Sequence, residues 1–219
     1  MKILFASSKE MNLDNLIETN NNINFELVNK NIDFIKNIKQ EDCFNIFKTK
    51  EDIYLQNQNI DIYSKKAIEL FNGISFRQLE LDNLALFNDV LIFSALYGCS
   101  YASDMISPFR YDYTMKNSKT YRKEIYFKIN ELLEKEDIVY NLSSKEFSNG
   151  IVHNNVIEFS FYLNNNGELK QHSVASKKNR GAMLMHFVKG LKIEDYQFEG
   201  YAYNEELSNE NEYVFIKQD

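Results

Sequence analysis

The chain has 219 residues, of which 44% are hydrophobic and 26% charged, as is usual for a globular protein that buries a core without disulfides or metals. Its seven glycines and single proline are far below average usage, which excludes collagen-like, linker-like and turn-dense all-β repeat architectures. A net charge of −7 excludes a globally basic nucleic-acid-binding protein but is compatible with a local basic cleft.

The first half of the chain predicts two buried strands with helices between them. Continuous apolar runs predict strands over residues 2–6 (KILFA) and 89–95 (DVLIFSA). Apolar residues at helical spacing predict three helices, which are marked by Ile32, Ile35 and Ile38, by Phe44 and Phe47, and by Ile60, Tyr63, Ala67, Leu70 and Phe71. A further short helix is expected around residues 76–87.

The second half predicts strands, helices and two hairpins. Residues 99–118 have little periodicity and are expected to form a long connection with Pro108 as its only breaker. An amphipathic helix around residues 121–133 and a strand over 137–142 follow. The remaining elements are a hairpin of residues 156–163 and 168–174, a late helix marked by Leu184, Phe187, Val188 and Leu191, and a hairpin of residues 200–203 and 213–216. This order indicates an α/β (mixed α+β) single domain over residues 1–219, with a mixed sheet flanked by helices.

The sequence contains no pattern for a disulfide framework or a metal site. Cys43 and Cys99 are the only cysteines, and His153, His172 and His186 lack metal-ligand spacing. We therefore expect no metal and no cofactor, and direct iron binding is not favoured. The N-terminal apolar run is too short for a secretory signal, and no run of 18 apolar residues occurs. We expect a cytoplasmic protein without membrane attachment.

Cationic side chains follow the predicted strands. Lys9 and Lys145 each lie three residues beyond a strand, and Arg180, followed by Gly181, is expected in the first turn of the late helix. Free backbone N–H groups at a helix start favour an anion, and open α/β sheets bind ligands beyond the carboxyl ends of their strands. These three cations could therefore meet on one anionic ligand such as a phosphate, although each alone is also explained as a solvated surface cation.

The cations also cluster along the chain in two stretches. The first contains Lys116, Lys119, Arg122, Lys123 and Lys128, and the second contains Lys170, Lys177, Lys178, Arg180, Lys189 and Lys192. This asymmetry in an acidic protein is typical of a local polyanion-binding surface or basic cleft. The solvated face of a helix explains the first stretch equally well.

An ordered set of short segments runs through nearly the whole chain. The segments are KILFASSKE (2–10), FNG (71–73), FSALYG (93–98), Asp104, PFRYD (108–112), NLSSKEF (141–147), KNRG (178–181), and EGY (199–201) with YVF (213–215). Together they resemble the peroxide stress protein YaaA family. The resemblance maps the family's motif positions onto Lys9, Tyr97, Arg110, Asp112, Lys145, Arg180 and Gly181.

The resemblance implies a cytoplasmic bacterial protein of the hydrogen-peroxide response that limits damage from unincorporated iron. It also implies an unusual α/β fold with a positively charged cleft and a helix-hairpin-helix-like element, and binding to DNA. The chain departs from the family pattern at Tyr101-Ala102, where Arg-Pro is usual, at Met185, where a second Arg is usual, and at Ala6-Ser7, where Ser-Pro is usual. Two cations of the family pattern are therefore absent from this chain. Since each phosphate contact contributes about one unit to the slope of log affinity against log salt, we expect weaker duplex binding than the family implies.

Two functional hypotheses remain open, and no catalytic motif is recognisable. In the first, the protein contacts mainly the sugar–phosphate backbone of DNA, and Lys177 and Lys178 add positive charge. Tyr97, Phe109 and Tyr111 stack on unpaired bases. In the second, Lys9, Lys145 and Arg180 hold a small phosphorylated or nucleotide-like ligand, and Asp104 or Asp112 acts as a general base. One closed pocket would favour the second hypothesis, and an extended groove would favour DNA. The sequence leaves the oligomeric state open.

Overall fold

The computed structural model describes residues 1–18, 26–47, 53–115 and 118–218. The strands in these ranges are β1 Lys2–Ala6, β2 Ile17–Glu18, β3 Tyr63–Lys66, β4 Val90–Ser94, β5 Gly98–Tyr101, β6 Met105–Ile106, β7 Val139–Asn141, β8 Val156–Asn165, β9 Glu168–Lys170, β10 Gln197–Phe198, β11 Tyr201–Tyr203 and β12 Glu212–Gln218. The α-helices are α1 Glu26–Lys36, α2 Gln40–Phe47, α3 Ile53–Gln58, α4 Ala67–Leu70, α5 Ser118–Leu133, α6 Lys145–Ser148 and α7 Ser173–Val188. Short 3₁₀ helices cover Phe76–Gln78, Leu84–Phe87 and Ile193–Asp195.

Most of the described strands belong to one mixed sheet. Its order is β10-β11-β12-β8-β7-β1-β4-β5, and β9 pairs with β8 beside this path. The central strands β12, β8, β7, β1 and β4 are parallel, and β5, β11 and β10 add antiparallel edges. A second, small sheet has the order β2-β3-β6. The chain passes from β1 to β4 on one side and later enters β7 on the other side, so the strand order reverses at β1.

Strand β1 is apolar throughout because both of its faces are covered. Ile3 and Phe5 belong to the larger core, which contains Leu184 of α7. Leu4 points to the opposite face and packs in a second cluster with Ile129 of α5. Alternate side chains of a strand reach opposite faces, so a strand buried between two helical layers reads as a continuous apolar run. The predicted mixed α/β fold with helices on both faces of the sheet is confirmed.

The strands predicted over residues 2–6, 89–95 and 137–142 are confirmed as β1, β4 and β7, within one or two residues at each end. Three of the predicted helices, those marked by Ile32 and Ile35, by Phe44 and Phe47, and by residues 121–133, are confirmed as α1, α2 and α5. Both predicted hairpins exist, since β8 pairs antiparallel with β9 and β11 pairs antiparallel with β12. The second arm of the first hairpin is shorter than predicted, because β9 ends at Lys170 and α7 begins at Ser173. In each of these elements the apolar residues recur regularly within one continuous segment, and such spacing is the most reliable signal of secondary structure in a sequence.

The helix predicted from the apolar stripe between Ile60 and Phe71 is wrong over most of its length. Tyr63–Lys66 form strand β3, and only Ala67–Leu70 are helical. Strand β3 lies between β2 and β6 and pairs antiparallel with both. Residues 63–66 are extended because their backbone pairs with strands that are distant in the sequence. A strand followed by one helical turn has the same apolar spacing as a helix, so the pattern could not distinguish the two.

Two further predictions need correction. The supposed connection over residues 99–118 contains β5 and β6, because Gly98 turns the chain at a φ of +74° and lets β5 pair back onto β4. The single short helix expected around residues 76–87 is instead two separate 3₁₀ helices.

The late helix begins at Ser173, well before its first apolar marker. Its first buried positions are Ser176 and Asn179, which are polar, so the apolar pattern did not reveal this part of the helix. Arg180 and Gly181 therefore lie in the middle of α7. The expectation that they occupy a first turn with free backbone N–H groups is wrong.

Candidate functional site

A cavity of about 350 Å³ opens at the carboxyl ends of the central strands. The residues that follow β1, β4 and β7 all border it, namely Ser7, Ser8 and Lys9, then Ala95, and then Leu142 and Ser144. Segments around residues 73–76 and 109–113 and one face of α7 complete the wall. The cavity therefore lies where the strand order reverses at β1, which is where open α/β sheets bind their ligands.

Four cations border this cavity, namely Lys9, Arg110, Lys177 and Arg180. Lys177 and Arg180 are three residues apart on α7 and therefore share a face of the helix. The Nε atoms of Arg110 and Arg180 are both buried and have no hydrogen-bond partner. A buried donor left without a partner costs about 1–3 kcal/mol, so each of these two guanidinium groups carries an unsatisfied donor.

Arg180 is partly buried on α7, where it borders the cavity. Burial lowers the pKa of its guanidinium, and the charge of Glu158 opposes that shift. Glu158 accepts two hydrogen bonds of 2.8 Å from the side-chain amide of Asn141, and burial raises the pKa of its carboxyl. An arginine stays protonated in proteins, so Arg180 brings a poorly solvated positive charge to the cavity wall.

Carboxylates also border the cavity, which is therefore not uniformly basic. Asp112 lies 3.1 Å from Lys9 Nζ and accepts a hydrogen bond from the Thr114 hydroxyl. Burial would raise the pKa of Asp112, but the hydrogen bonds from Thr114 and Lys9 and the charge of Arg110 hold it below its ordinary value. Asp112 was one of two candidates for a general base, Asp104 being the other, on the condition that its pKa were raised. The shift is in the opposite direction, so Asp112 is an ionised partner of Lys9.

The loop after β1 is held in place by its neighbours. The backbone N–H of Gly73 donates to Ser8 Oγ at 3.0 Å, and Ser8 Oγ donates to the carbonyl of Glu10. A Cβ atom on Gly73 would lie 2.5 Å from the Cβ of Ser8, so the close approach of the two segments requires glycine. Arg110 Nη1 donates to the carbonyl of Lys9 at 3.1 Å and fixes the other side of the loop.

Gly181 brings α7 close to the opposite wall of the cavity. A Cβ atom at this position would lie 2.0 Å from the backbone oxygen of Ser75, which itself borders the cavity. The helix is also fixed by Asn179, whose side-chain oxygen accepts a hydrogen bond of 2.8 Å from the Tyr196 hydroxyl. Gly181 therefore contributes by close packing, which holds the adjacent Arg180 against the cavity.

The floor of the cavity is aromatic. Phe76, Phe109, Tyr111, Tyr113 and Phe147 all border it. The first four are almost completely buried, and Phe147, which is partly buried, packs edge-on against Tyr113 with 5.2 Å between ring centroids. Sequence reasoning named Phe109 and Tyr111 as stacking residues but missed the other three. The KEF segment after β7 was a signal that could have identified Phe147.

Five of the residues predicted for the site do not line the cavity, namely Tyr97, Asp104, Lys145, Lys178 and Gly181. Asp104 lies in the turn between β5 and β6, where its carboxylate accepts the backbone N–H of Tyr101 at 2.7 Å. Burial raises the pKa of Asp104, but Asp104 does not border the cavity. Tyr97 supports the floor from below, since its hydroxyl accepts the Ser107 N–H at 3.2 Å and its ring contacts Phe109.

The two lysines outside the cavity differ in position. Lys145 is flanked by Ser144 and Glu146, which both line the cavity, and the charge of Lys145 acts on Glu158. Lys178 forms an ion pair of 2.7 Å with Glu199. The structure thus brings Lys9 and Arg180 to one cavity and leaves Lys145 outside its lining.

Several cations of the two basic stretches have partners within the described part of the chain. In the second stretch, three lysines are paired with carboxylates, as Lys170–Glu168, Lys178–Glu199 and Lys189–Glu80. In the first, Arg122 lies 4.6 Å from the ring centroid of Tyr113 and donates to the carbonyl of Glu146. Lys116 and the side chain of Lys119 lie outside the described residues.

Neither position where an arginine is missing borders the cavity. Tyr101 lies at the end of β5 with Lys2 Nζ 5.6 Å from its ring centroid, and Met185 is buried with its sulfur near the backbone N–H of Glu80. The described residues contain no group of three or more His, Cys, Asp or Glu side chains arranged to hold a metal ion. None of the described helices is both long and apolar enough to cross a membrane.

Comparison with known proteins gives a consistent result. A family model described as peroxide stress protein YaaA matches residues 1–207. A UPF0246 protein of Fusobacterium nucleatum is 33% identical, with 100% of this chain and 99% of the relative covered. A UPF0246 protein of Streptococcus pneumoniae (strain CGSP14) is 29% identical, with 100% of this chain and 100% of the relative covered. A UPF0246 protein of Clostridioides difficile is 30% identical, with 85% of this chain and 87% of the relative covered.

Proposed function

Because the chain belongs to the peroxide stress protein YaaA family, we propose that it acts in peroxide stress by binding DNA through the basic cavity. In this proposal it works in the cytoplasm and limits iron-dependent oxidative damage to the DNA that it binds. Arg180 and Lys177 of α7 contact phosphate groups from one wall, and Arg110 contacts them from another.

One observation carries the proposal. Arg110 and Arg180 come from distant parts of the chain, yet both border the same cavity, and the guanidinium Nε of each is buried without a hydrogen-bond partner. A guanidinium offers a fork of N–H donors that matches a phosphate, and charge-assisted hydrogen bonds are roughly twice as strong as neutral ones. The arrangement therefore supports an anionic, phosphate-bearing ligand.

A second candidate is a small free phosphorylated or nucleotide-like ligand. The specific observation in its favour is that the cations gather around one cavity of about 350 Å³ and not along a groove. A cavity near the lower end of the ~300–1,000 Å³ range of ligand pockets accommodates one small molecule. No side chain of this cavity is assigned a catalytic role in either case.

Adjacent lysines on α7 provide a matched test of the DNA proposal. Fluorescence anisotropy with a labelled DNA is measured for the wild type, for Lys177→Gln and for Lys178→Gln. Both substitutions remove one charge from the same helix, but only Lys177 borders the cavity, while Lys178 is paired with Glu199. We expect Lys177→Gln to weaken binding and to reduce the salt slope by about one unit, and Lys178→Gln to leave both nearly unchanged.

Equal effects of the two substitutions would contradict binding through the cavity. Absence of binding at low salt, or binding that is indifferent to salt, would contradict DNA binding as a whole. Tight binding of a mononucleotide together with no binding of any DNA would select the second candidate.

A further inference from the structure

The cavity combines an aromatic floor with cationic walls, and this combination is more selective than a phosphate site. We propose that it seats one unpaired nucleotide, with the base against the floor around Phe147 and the phosphate on Arg180 and Lys177. This inference rests on the proposed function and names the form of DNA that the cavity accepts.

The size of the cavity is the first argument. A space of about 350 Å³ holds one nucleotide but not a segment of paired duplex. A base inside a duplex is stacked and paired, and moving it into a protein pocket costs a few kcal/mol, least where the base is already unpaired. DNA that already contains an unpaired nucleotide therefore fits with the smallest penalty.

The chemistry of the floor is the second argument. Stacking of a base on an aromatic side chain contributes about 1–3 kcal/mol and tolerates any base. Phe147, Met11 and Ile74 are partly exposed apolar side chains that border the cavity, and the buried rings of Phe76 and Phe109 lie in the same floor. A phosphate alone would make no use of this apolar surface.

The polar groups on the rim are the third argument. Ser7, Ser144 and Glu146 border the cavity in addition to the cations. Hydroxyl and carboxylate oxygens accept hydrogen bonds from the amino and imino groups of bases, whereas a phosphate has no use for a carboxylate. The walls thus offer acceptors for a base and donors for a phosphate within one small space.

Binding of two matched DNA molecules tests the inference. One is a fully paired duplex, and the other is the same duplex with one unpaired bulged nucleotide; affinity for both is measured by anisotropy. We expect the bulged DNA to bind at least tenfold more tightly. Deoxyadenosine monophosphate should compete with it, and inorganic phosphate should compete at least tenfold less effectively.

Two phenylalanines provide a control for the role of the floor. Phe147→Ala should reduce the preference for bulged DNA several-fold, whereas Phe127→Ala, on the exposed side of α5, should not change it. Circular dichroism and a thermal melt confirm that each variant is folded. If Phe147→Ala does not fold, the competition between the mononucleotide and phosphate on the wild type decides the question.

Equal affinity for the two duplexes, or a mononucleotide that competes no better than phosphate, would overturn the inference and leave DNA binding itself intact. If no DNA is bound but the mononucleotide binds, and Arg180→Gln abolishes that binding, the DNA proposal is overturned and the nucleotide assignment stands.

Discussion

At the scale of single residues, Gly181 determines how closely α7 approaches the turn at Ser75. Alanine in a helix interior is usually more stable than glycine by roughly 0.5–1 kcal/mol. Here the added Cβ would lie 2.0 Å from a backbone oxygen that cannot rotate away, so a wall of the cavity must move. We expect Gly181→Ala to lower the free energy of unfolding by about 1–3 kcal/mol, in the range of overpacked cores. Urea denaturation measures this, and a variant as stable as the wild type would contradict the packing role.

The pair formed by Lys9 and Asp112 makes a prediction about pH. The folded protein holds the pKa of Asp112 below its ordinary value of 3.8, so the ionised carboxylate stabilises the fold above that pH and this contribution disappears as the pH falls through the lower folded value. We expect Asp112→Asn to reduce the free energy of unfolding at neutral pH, with a difference from the wild type that shrinks in acid. Urea denaturation across acid and neutral pH measures the difference.

Asp104 provides the control for this pH dependence because its shift has the opposite sign. Burial raises its pKa above 3.8 in the folded protein, so its protonated form favours folding and this contribution is lost as the pH rises through the folded value. The wild type should therefore lose stability relative to Asp104→Asn as the pH rises from acid. The same direction of change in both variants would contradict the assignment.

At the scale of elements, the sequence predicted those that carry their own periodicity. Strands β1 and β4, helix α5 and the β8–β9 hairpin follow from apolar runs or alternation inside one segment. Strand β3 did not, because its pairing with β2 and β6 depends on residues far away in the chain. The start of α7 was missed because polar Ser176 and Asn179 occupy its buried positions, and Asn179 is buried through its bond to Tyr196.

Strand β12 lies inside the sheet although it is the last strand in the sequence. It lies between β8 and β11, and its Phe215 is fully buried against Phe159, Phe161 and Tyr196. Phe215→Ala should lower the free energy of unfolding by about 3–5 kcal/mol, as is typical for a deleted core ring. Phe127→Ala should change it by less than about 0.5 kcal/mol, because that ring is 64% exposed. Similar losses in both variants would contradict the central role of β12.

At the scale of the whole molecule, the candidate site is only partly readable from the sequence. Lys9 was predicted from its place after a strand, and Arg110 and Asp112 from the resemblance. The aromatic floor and the face of α7 depend on how segments around residues 76, 111, 147 and 177 pack together, which no local pattern contains. The sequence also could not separate Lys178 from the neighbouring Lys177, because the ion pair of Lys178 with Glu199 forms only in the folded protein.

The charge distribution of the whole molecule predicts a shallow salt dependence for DNA binding. The chain has a net charge of −7, and three lysines of the second basic stretch are paired with carboxylates. Binding confined to the cavity therefore relies on the four cations that border it. Each phosphate neutralised by a protein cation contributes roughly −0.7 to −0.9 to the slope of log affinity against log salt. With Lys9 partly neutralised by Asp112, we expect a slope of about −2 to −3 by these per-contact values. A salt titration of anisotropy measures it. A slope of about −6 or steeper would require contacts along an extended surface and would contradict binding confined to the cavity.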